Sequence, residues 1–154
     1  MTSPRQKGLN FEKRVRDDLY KDGWNIVKFM NNVDLDYKTD TVMVDTTTMN
    51  PKLGIVGYAL QPNRGKMIPA KRGRWGLTST GFPDLMCWKE SRIKGWEGYY
   101  LVLGVECKSN GYLKPEEKLK LNWFLENKIF GRILIAKKGK KRGEIVYKNH
   151  DIIP

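Results

Sequence analysis

The chain has 154 residues, a formal net charge of +12 at pH 7 and a sequence pI near 9.7. Its length predicts one domain over residues 1–154, and its charge favours a phosphate-rich partner, the alternative being a basic protein that is merely soluble. No stretch approaches the roughly 20 apolar residues of a membrane span, and the first residues lack the apolar segment of a secretory signal. Two cysteines without a disulfide framework indicate a reducing compartment, so we expect a cytoplasmic protein, in the host cell if a virus or phage encodes it.

The first predicted element is a helix over about residues 4–22, which Gly23 ends. Glu12, Val15 and Leu19 stand at i, i+3 and i+7, so they share the inward face of this helix. Burying a carboxylate without a partner is costly, which makes Glu12 a candidate functional acid. The alternative is a partly exposed helix carboxylate.

A segment over about residues 30–78 follows a short strand and is predicted to be an inserted β-hairpin or ribbon. No acidic residue occurs from Thr46 to Pro83, whereas six basic residues do, which is half of the net charge. As a functional element, the insertion contacts DNA phosphates while Trp75 stacks on an unpaired base. The alternative is a solvated loop with Trp75 packed on the core. The basic residues are Lys52, Arg64, Lys66, Lys71, Arg72 and Arg74.

The remaining elements predict an α/β domain with a mixed sheet. Apolar runs at 84–88 and 99–107 read as neighbouring antiparallel strands, and two more strands at 132–136 and 144–147 follow a helix at 115–128. The apolar surface of that helix is broad enough for a partner subunit, although burial in the core explains it equally well. The basic turn between the last two strands, with Lys140 and Lys141, is either a second DNA contact or an ordinary charged hairpin tip.

Asp84 and the triplet Glu106-Cys107-Lys108 carry the clearest chemical signal. Side chains alternate along a strand, so Glu106 and Lys108 project from one face, close to Asp84 on the neighbouring strand. Carboxylate and carbonyl oxygens are the ligands that Mg²⁺ prefers, and Mg²⁺ is the usual ion for chemistry on phosphates. Taken singly, Asp84 could be a local cap and the other two a surface ion pair. No Cys/His cluster indicates zinc and no Gly-rich nucleotide loop is present, so no small-molecule cofactor is expected.

Glu12, Pro83-Asp84 and Glu106-Cys107-Lys108 together resemble the core motif of the PD-(D/E)xK nucleases. The segments from Arg5 to Glu12 and from Ser79 to Asp84 are similar to those of archaeal-type Holliday junction resolvases. Residues 121–124 and 130–137 resemble the closing helix, glycine and strand of the same family. The likeness covers about 5–29 and 79–148, and the insertion has no counterpart in it.

The resemblance implies a restriction-endonuclease-like fold with a mixed central sheet flanked by helices. It implies that Asp84, Glu106 and the Cys107 carbonyl ligate Mg²⁺, or Mn²⁺ in its place, with Glu12 binding a metal directly or through water. Lys108 would then orient the attacking water or stabilise the transition state. The DNA contacts implied by the resemblance or by charge are Arg5, Lys7, Arg64, Lys66, Lys71, Arg72, Arg74, Ser79, Lys140 and Lys141.

Members of this family act as homodimers that place two active sites on a two-fold symmetric junction. The resemblance therefore implies a metal-dependent endonuclease that resolves four-way DNA junctions. Two alternatives remain open at the sequence level. One is another nuclease of the same fold from a mobile element, with a restriction-like, nicking or single-strand-end activity. The other is a DNA-binding protein without catalysis.

Overall fold

The computed structural model describes residues 3–35, 65–70, 72–73, 76–77 and 81–151. Two helices lie in this part of the chain, α1 (Pro4–Lys21) and α2 (Pro115–Glu126), and neither is long and apolar enough to cross a membrane. The strands are β1 (Asn25–Lys28), β2 (Asn31–Leu35), β3 (Gly65–Pro69), β4 (Arg72–Gly73), β5 (Gly76–Leu77), β6 (Leu85–Glu90), β7 (Tyr100–Cys107), β8 (Arg132–Lys138) and β9 (Ile145–Asn149).

The main sheet has five strands in the order β1-β6-β7-β8-β9. Strands β7 and β8 run parallel and are connected through α2, as a parallel pair requires, whereas the other neighbours are antiparallel. The prediction of an α/β domain with a mixed sheet is therefore confirmed.

Helix α1 covers one face of this sheet. The Ser3 hydroxyl caps it by accepting a hydrogen bond from the Gln6 N–H at 3.2 Å, and Gly23 follows its end with a φ of +81°. The buried residues of the helix are Phe11, Val15 and Leu19. They pack with buried side chains of the central strands, namely Leu85, Cys87, Leu103 and Val105.

Helix α2 covers the other face, and its apolar side chains belong to a second cluster. Phe124 lies edge-on to Phe29, with ring centroids 5.6 Å apart, and Phe29 is 5.2 Å from the Phe130 ring. Val33 and Leu35 of β2 are buried in the same cluster. The start of the insertion thus packs against α2, so burial in the core accounts for the broad apolar surface of this helix. That surface therefore gives no support to the predicted homodimer.

The described ends of the insertion are antiparallel. Strand β2 pairs with β3 from Asn31↔Pro69 to Leu35↔Gly65, and β4 pairs with β5 over two residues each. A Cβ atom on Gly65 would stand 2.9 Å from the Trp123 indole nitrogen, so glycine permits the close approach of β3 to α2. Residues 36–64 of the predicted ribbon, and Trp75, lie outside the described part of the chain.

Candidate active site

Asp84 and Glu106 meet where β6 begins and β7 ends. The register Leu85↔Val105 makes the two carboxyl-bearing residues neighbours across the strand pair. The Glu106 carboxylate accepts a hydrogen bond from the Asp84 N–H at 3.1 Å, and the Asp84 carboxylate accepts one from the Cys107 N–H at 2.8 Å. Each side chain is therefore oriented by the backbone of the opposite strand. One oxygen of each carboxylate is used in this way, which leaves the other for a further partner.

The segment before Asp84 is fixed by close backbone packing. A Cβ atom on Gly81 would fall 1.5 Å from the Phe29 carbonyl oxygen, so only glycine fits there. The Phe82 N–H donates to the Asn31 carbonyl at 2.8 Å, and the Phe29 N–H donates to the Asp84 carbonyl at 3.0 Å. These contacts connect Asp84 to the junction of β1 and β2, which explains the glycine in the approach to the acid.

Lys108 lies on the same side as Glu106, as the alternation of strand side chains predicts. Its ammonium is 3.1 Å from Glu106 Oε1 and 2.7 Å from Glu117 Oε1, a carboxylate in the first turn of α2. The lysine therefore bridges a buried acid of the sheet and a more exposed acid of the helix.

Burial governs the protonation of the paired acids. Glu106 is only 3% exposed, and burial followed by the nearby charge of Asp84 raises its pKa to about 8, against the opposing effect of Lys108. The pKa of Asp84 is also raised, chiefly by burial, while the Cys107 N–H lowers it and Glu12 raises it. These two carboxyl groups, one buried and one half-buried, resist ionising together, and a bound cation would stabilise both in the ionised form.

The Cys107 side chain packs against the core cluster under α1, on the face of β7 opposite to Glu106. Burial, followed by the charges of Asp84 and Glu106, raises the pKa of its thiol, which favours the protonated form. A hard cation would take the Cys107 carbonyl oxygen, which is the group that the sequence prediction names.

Glu12 has a partner that the sequence prediction did not include. Its carboxylate is 3.3 Å from the Lys28 ammonium, and the inward face of α1 holds Phe11 in the position expected for Glu12. The Glu12 side chain is only 14% exposed and Lys28 supplies a counter-ion for its charge, so its role as a metal ligand stays a prediction. Glu12 still lies near enough for its charge to raise the pKa of Asp84.

The donor set fits a hard divalent ion that shares its coordination with substrate. Among the described residues, no three acidic, His or Cys side chains are arranged to hold a metal by themselves, so Glu12 does not complete a three-carboxylate site with Asp84 and Glu106. Mg²⁺ is commonly held by one or two carboxylates, with waters and substrate phosphates completing its shell. Asp84 and Glu106 supply two such carboxylates.

A cavity of about 630 Å³ opens above these residues, between the start of the insertion and the N-terminal end of α2. Asp84, Glu106 and Lys108 line it together with Asn32 of β2. Further lining residues come from the first turns of α2 and the residue before it, namely Lys114, Glu116, Glu117 and Lys120. The acids are thus surrounded by lysines, an arrangement suited to a metal ion below a bound phosphodiester.

The predicted DNA contacts are placed unevenly. The Arg14 guanidinium donates to the Gly143 carbonyl at 2.7 Å, which places α1 beside the basic β8–β9 turn. Of the predicted DNA contacts, those whose side chains are exposed are Arg5, Lys7, Lys66, Lys140 and Lys141. Arg72 lies in β4, and outside the described residues are Arg64, Lys71, Arg74 and Ser79.

Sequence reasoning missed the partners of the two charged site residues. Lys28 and Glu117 were not predicted as site residues, yet they pair with Glu12 and Lys108. Glu117 had a weak signal, since an acid in the third position of a helix often turns back to cap it. Lys28 had none, because its contact joins α1 to β1 in space.

No protein-family model, curated protein or solved structure matches the chain. The resemblance to archaeal-type resolvases therefore rests on the sequence motifs alone.

Proposed function

We propose that the protein is a divalent-metal-dependent DNA endonuclease that resolves four-way junctions by paired phosphodiester hydrolysis. One observation carries the proposal. Asp84 and Glu106 orient each other through backbone hydrogen bonds of 2.8 and 3.1 Å, with the Lys108 ammonium 3.1 Å from Glu106. The same three residue types form the PD-(D/E)xK motif that the sequence resembles.

Asp84 and Glu106 would hold Mg²⁺ or Mn²⁺, together with the Cys107 carbonyl oxygen. The bound ion would supply a Lewis acid for the scissile phosphate and lower the pKa of a bound water. The Lys108 ammonium would stabilise the negative charge that grows on the phosphate oxygens, because it projects into the same cavity as the acids. The Asp84 oxygen that accepts the Cys107 N–H would also orient the site, because it fixes the backbone that carries the Cys107 carbonyl.

The basic surface would bind DNA backbone on either side of this cavity. Lys114 and Lys120 lie on the cavity wall, while Arg5 and Lys7 extend from the first turns of α1. Contacts of this kind are independent of sequence and weaken as salt rises. They suit an enzyme that selects its substrate by shape.

The homodimer of the proposal needs a surface other than α2. Residues 91–102, which we call the arm, connect β6 to the first part of β7 and carry two basic residues and one acidic residue. A nearly balanced charge allows two copies of a chain with net charge +12 to meet there. The exposed apolar side chains of the arm are Ile93, Trp96, Tyr99, Tyr100, Leu101 and Val102.

The arm is also remote from the acids. The β6–β7 pairing runs from Leu85↔Val105 beside the site to Glu90↔Tyr100 at the arm, a span of five residues or ~16 Å at the rise of a strand. A dimer through the arm would hold the two cavities apart on one substrate, as cuts in two strands require.

One observation favours a second nuclease function of the same site. Asn32 of β2 lines the cavity, and β2 continues into the insertion, so the insertion shapes the entrance to the acids. A segment in that position can change the accepted substrate from a junction to a duplex, a nick or a single-strand end. The third alternative is a DNA-binding protein without catalysis.

A cleavage assay distinguishes these functions. Equal amounts of four-way junction, duplex, single strand and flap DNA are incubated with Mg²⁺ or with EDTA, beside Glu106→Gln. The matched control is Glu116→Gln. Glu116 lines the same cavity, but its carboxylate pairs with Lys120 and not with Asp84 or Glu106. Symmetric cuts in the junction alone, lost with EDTA and with Glu106→Gln, are expected. Cutting of duplex or single strands would indicate the second nuclease function, and tight binding without cutting would contradict catalysis.

A further inference from the structure

Glu117 makes two contacts at once from the third position of α2. Its Oε2 accepts the Lys114 N–H at 2.8 Å, which caps the helix, and its Oε1 lies 2.7 Å from the Lys108 ammonium. The capping contact fixes the direction of the side chain, so the second oxygen is held toward the lysine. The position of Lys108 is therefore set by the start of a helix as well as by its own strand.

Glu117 is the closer and the more exposed of the two counter-ions of Lys108. Its contact is shorter than the 3.1 Å contact to Glu106 Oε1, and its side chain is 22% exposed whereas that of Glu106 is 4% exposed. A carboxylate that retains contact with water ionises more readily than a buried one.

A cation at Glu106 and the ammonium of Lys108 would compete for the same carboxylate oxygen. If Glu106 were the only partner of Lys108, binding of a divalent ion would displace the ammonium and repel it toward solvent. A second carboxylate on the far side of the ammonium removes this conflict, since Lys108 can release Glu106 Oε1 and still be held.

We propose that Glu117 is a positioning residue that retains Lys108 in the cavity while Glu106 binds a divalent cation. The inference rests on the proposed function and adds a residue that the nuclease motif does not contain. Glu117 would thus do more than cap α2. It sets the affinity of Glu106 for a metal ion, and it sets the position of the Lys108 ammonium when the substrate binds.

Mn²⁺ binding, measured by calorimetry on the full chain without DNA, tests the proposal independently of cleavage. Glu117→Gln keeps an oxygen that can accept the Lys114 N–H and removes the charge that holds Lys108. Glu116→Gln is the matched control, because it neutralises the adjacent residue of the same turn, whose partner is Lys120 at 2.8 Å. Glu117→Ala removes cap and charge together and separates the two roles.

We expect Glu117→Gln to weaken Mn²⁺ binding roughly tenfold, the size of one lost charged contact, and Glu116→Gln to change it little. In the cleavage assay kcat should fall in Glu117→Gln while KM for DNA is unchanged, and Tm should fall only in Glu117→Ala. Equal Mn²⁺ affinities of the two Gln variants would overturn the proposal and leave the nuclease function intact. A wild-type chain that binds no Mn²⁺ even when junction DNA is present would overturn both.

Discussion

Replacing Glu106 by glutamine should change how the stability of the metal-free protein depends on pH. Burial raises the pKa of Glu106 from 4.5 in a model peptide to about 8 in the folded chain. Between these values the unfolded chain has released the proton and the folded chain has kept it. The free energy of unfolding therefore falls as pH rises through this window, and the loss is complete above about pH 8.

The size of the effect follows from the same shift. At ~1.4 kcal/mol per pH unit the full window gives an upper limit of about 5 kcal/mol. About two pH units of this window lie above pH 6, so we expect a loss of about 3 kcal/mol between about pH 6 and about pH 9. For a domain of this length 1 kcal/mol moves Tm by ~2–4 °C, so the wild type should lose ~6–12 °C relative to Glu106→Gln.

Thermal unfolding in EDTA at several pH values measures this difference. The informative quantity is the change of Tm with pH, because the glutamine also alters hydrogen bonds in a way that does not depend on pH. Glu116→Gln, whose carboxylate is 60% exposed, should follow the wild type. Saturating Mg²⁺ should remove most of the wild-type loss, since it stabilises ionised Glu106. Parallel pH profiles of the wild type and Glu106→Gln in EDTA would refute the reasoning.

Three further predictions concern the site, the insertion and the oligomer. Asp84→Asn should abolish cleavage and spare junction binding in a gel-shift assay; loss of binding as well would assign the acid a structural role. In ultracentrifugation the wild type should be a dimer of twice the 17.9 kDa chain mass, and Tyr99→Ser should be a monomer. Tyr112→Ser, equally exposed at 63% but outside the arm, should remain a dimer, and a monomeric wild type would contradict paired cutting. A triple variant that neutralises Lys71, Arg72 and Arg74 should weaken junction binding and reduce the slope of log K against log salt concentration by about two to three. An unchanged slope would show that these residues of the insertion do not contact DNA.

Local pattern in the sequence determined the elements of the fold. The proline and glycine around the first helix and the apolar runs of the central strands predicted α1, β6 and β7 to within a few residues. The alternation of strand side chains also placed Glu106 and Lys108 on one side, and the structure confirms it with a 3.1 Å contact. These features depend on neighbouring residues of the chain, so a pattern of a few positions suffices to predict them.

Only the tertiary structure decided how the charges are partnered. The pairing of Glu12 with Lys28 joins α1 to β1, and that of Lys108 with Glu117 joins β7 to α2. It also decided that β2, at the start of the insertion, covers the apolar face of α2. Residues that meet through packing of separate elements leave no periodic trace in the sequence, because their spacing along the chain is set by connections of arbitrary length. Asp84 and Glu106 could therefore be named as candidates from the sequence. Lys28 and Glu117, the partners of Glu12 and Lys108, could be identified only from the fold.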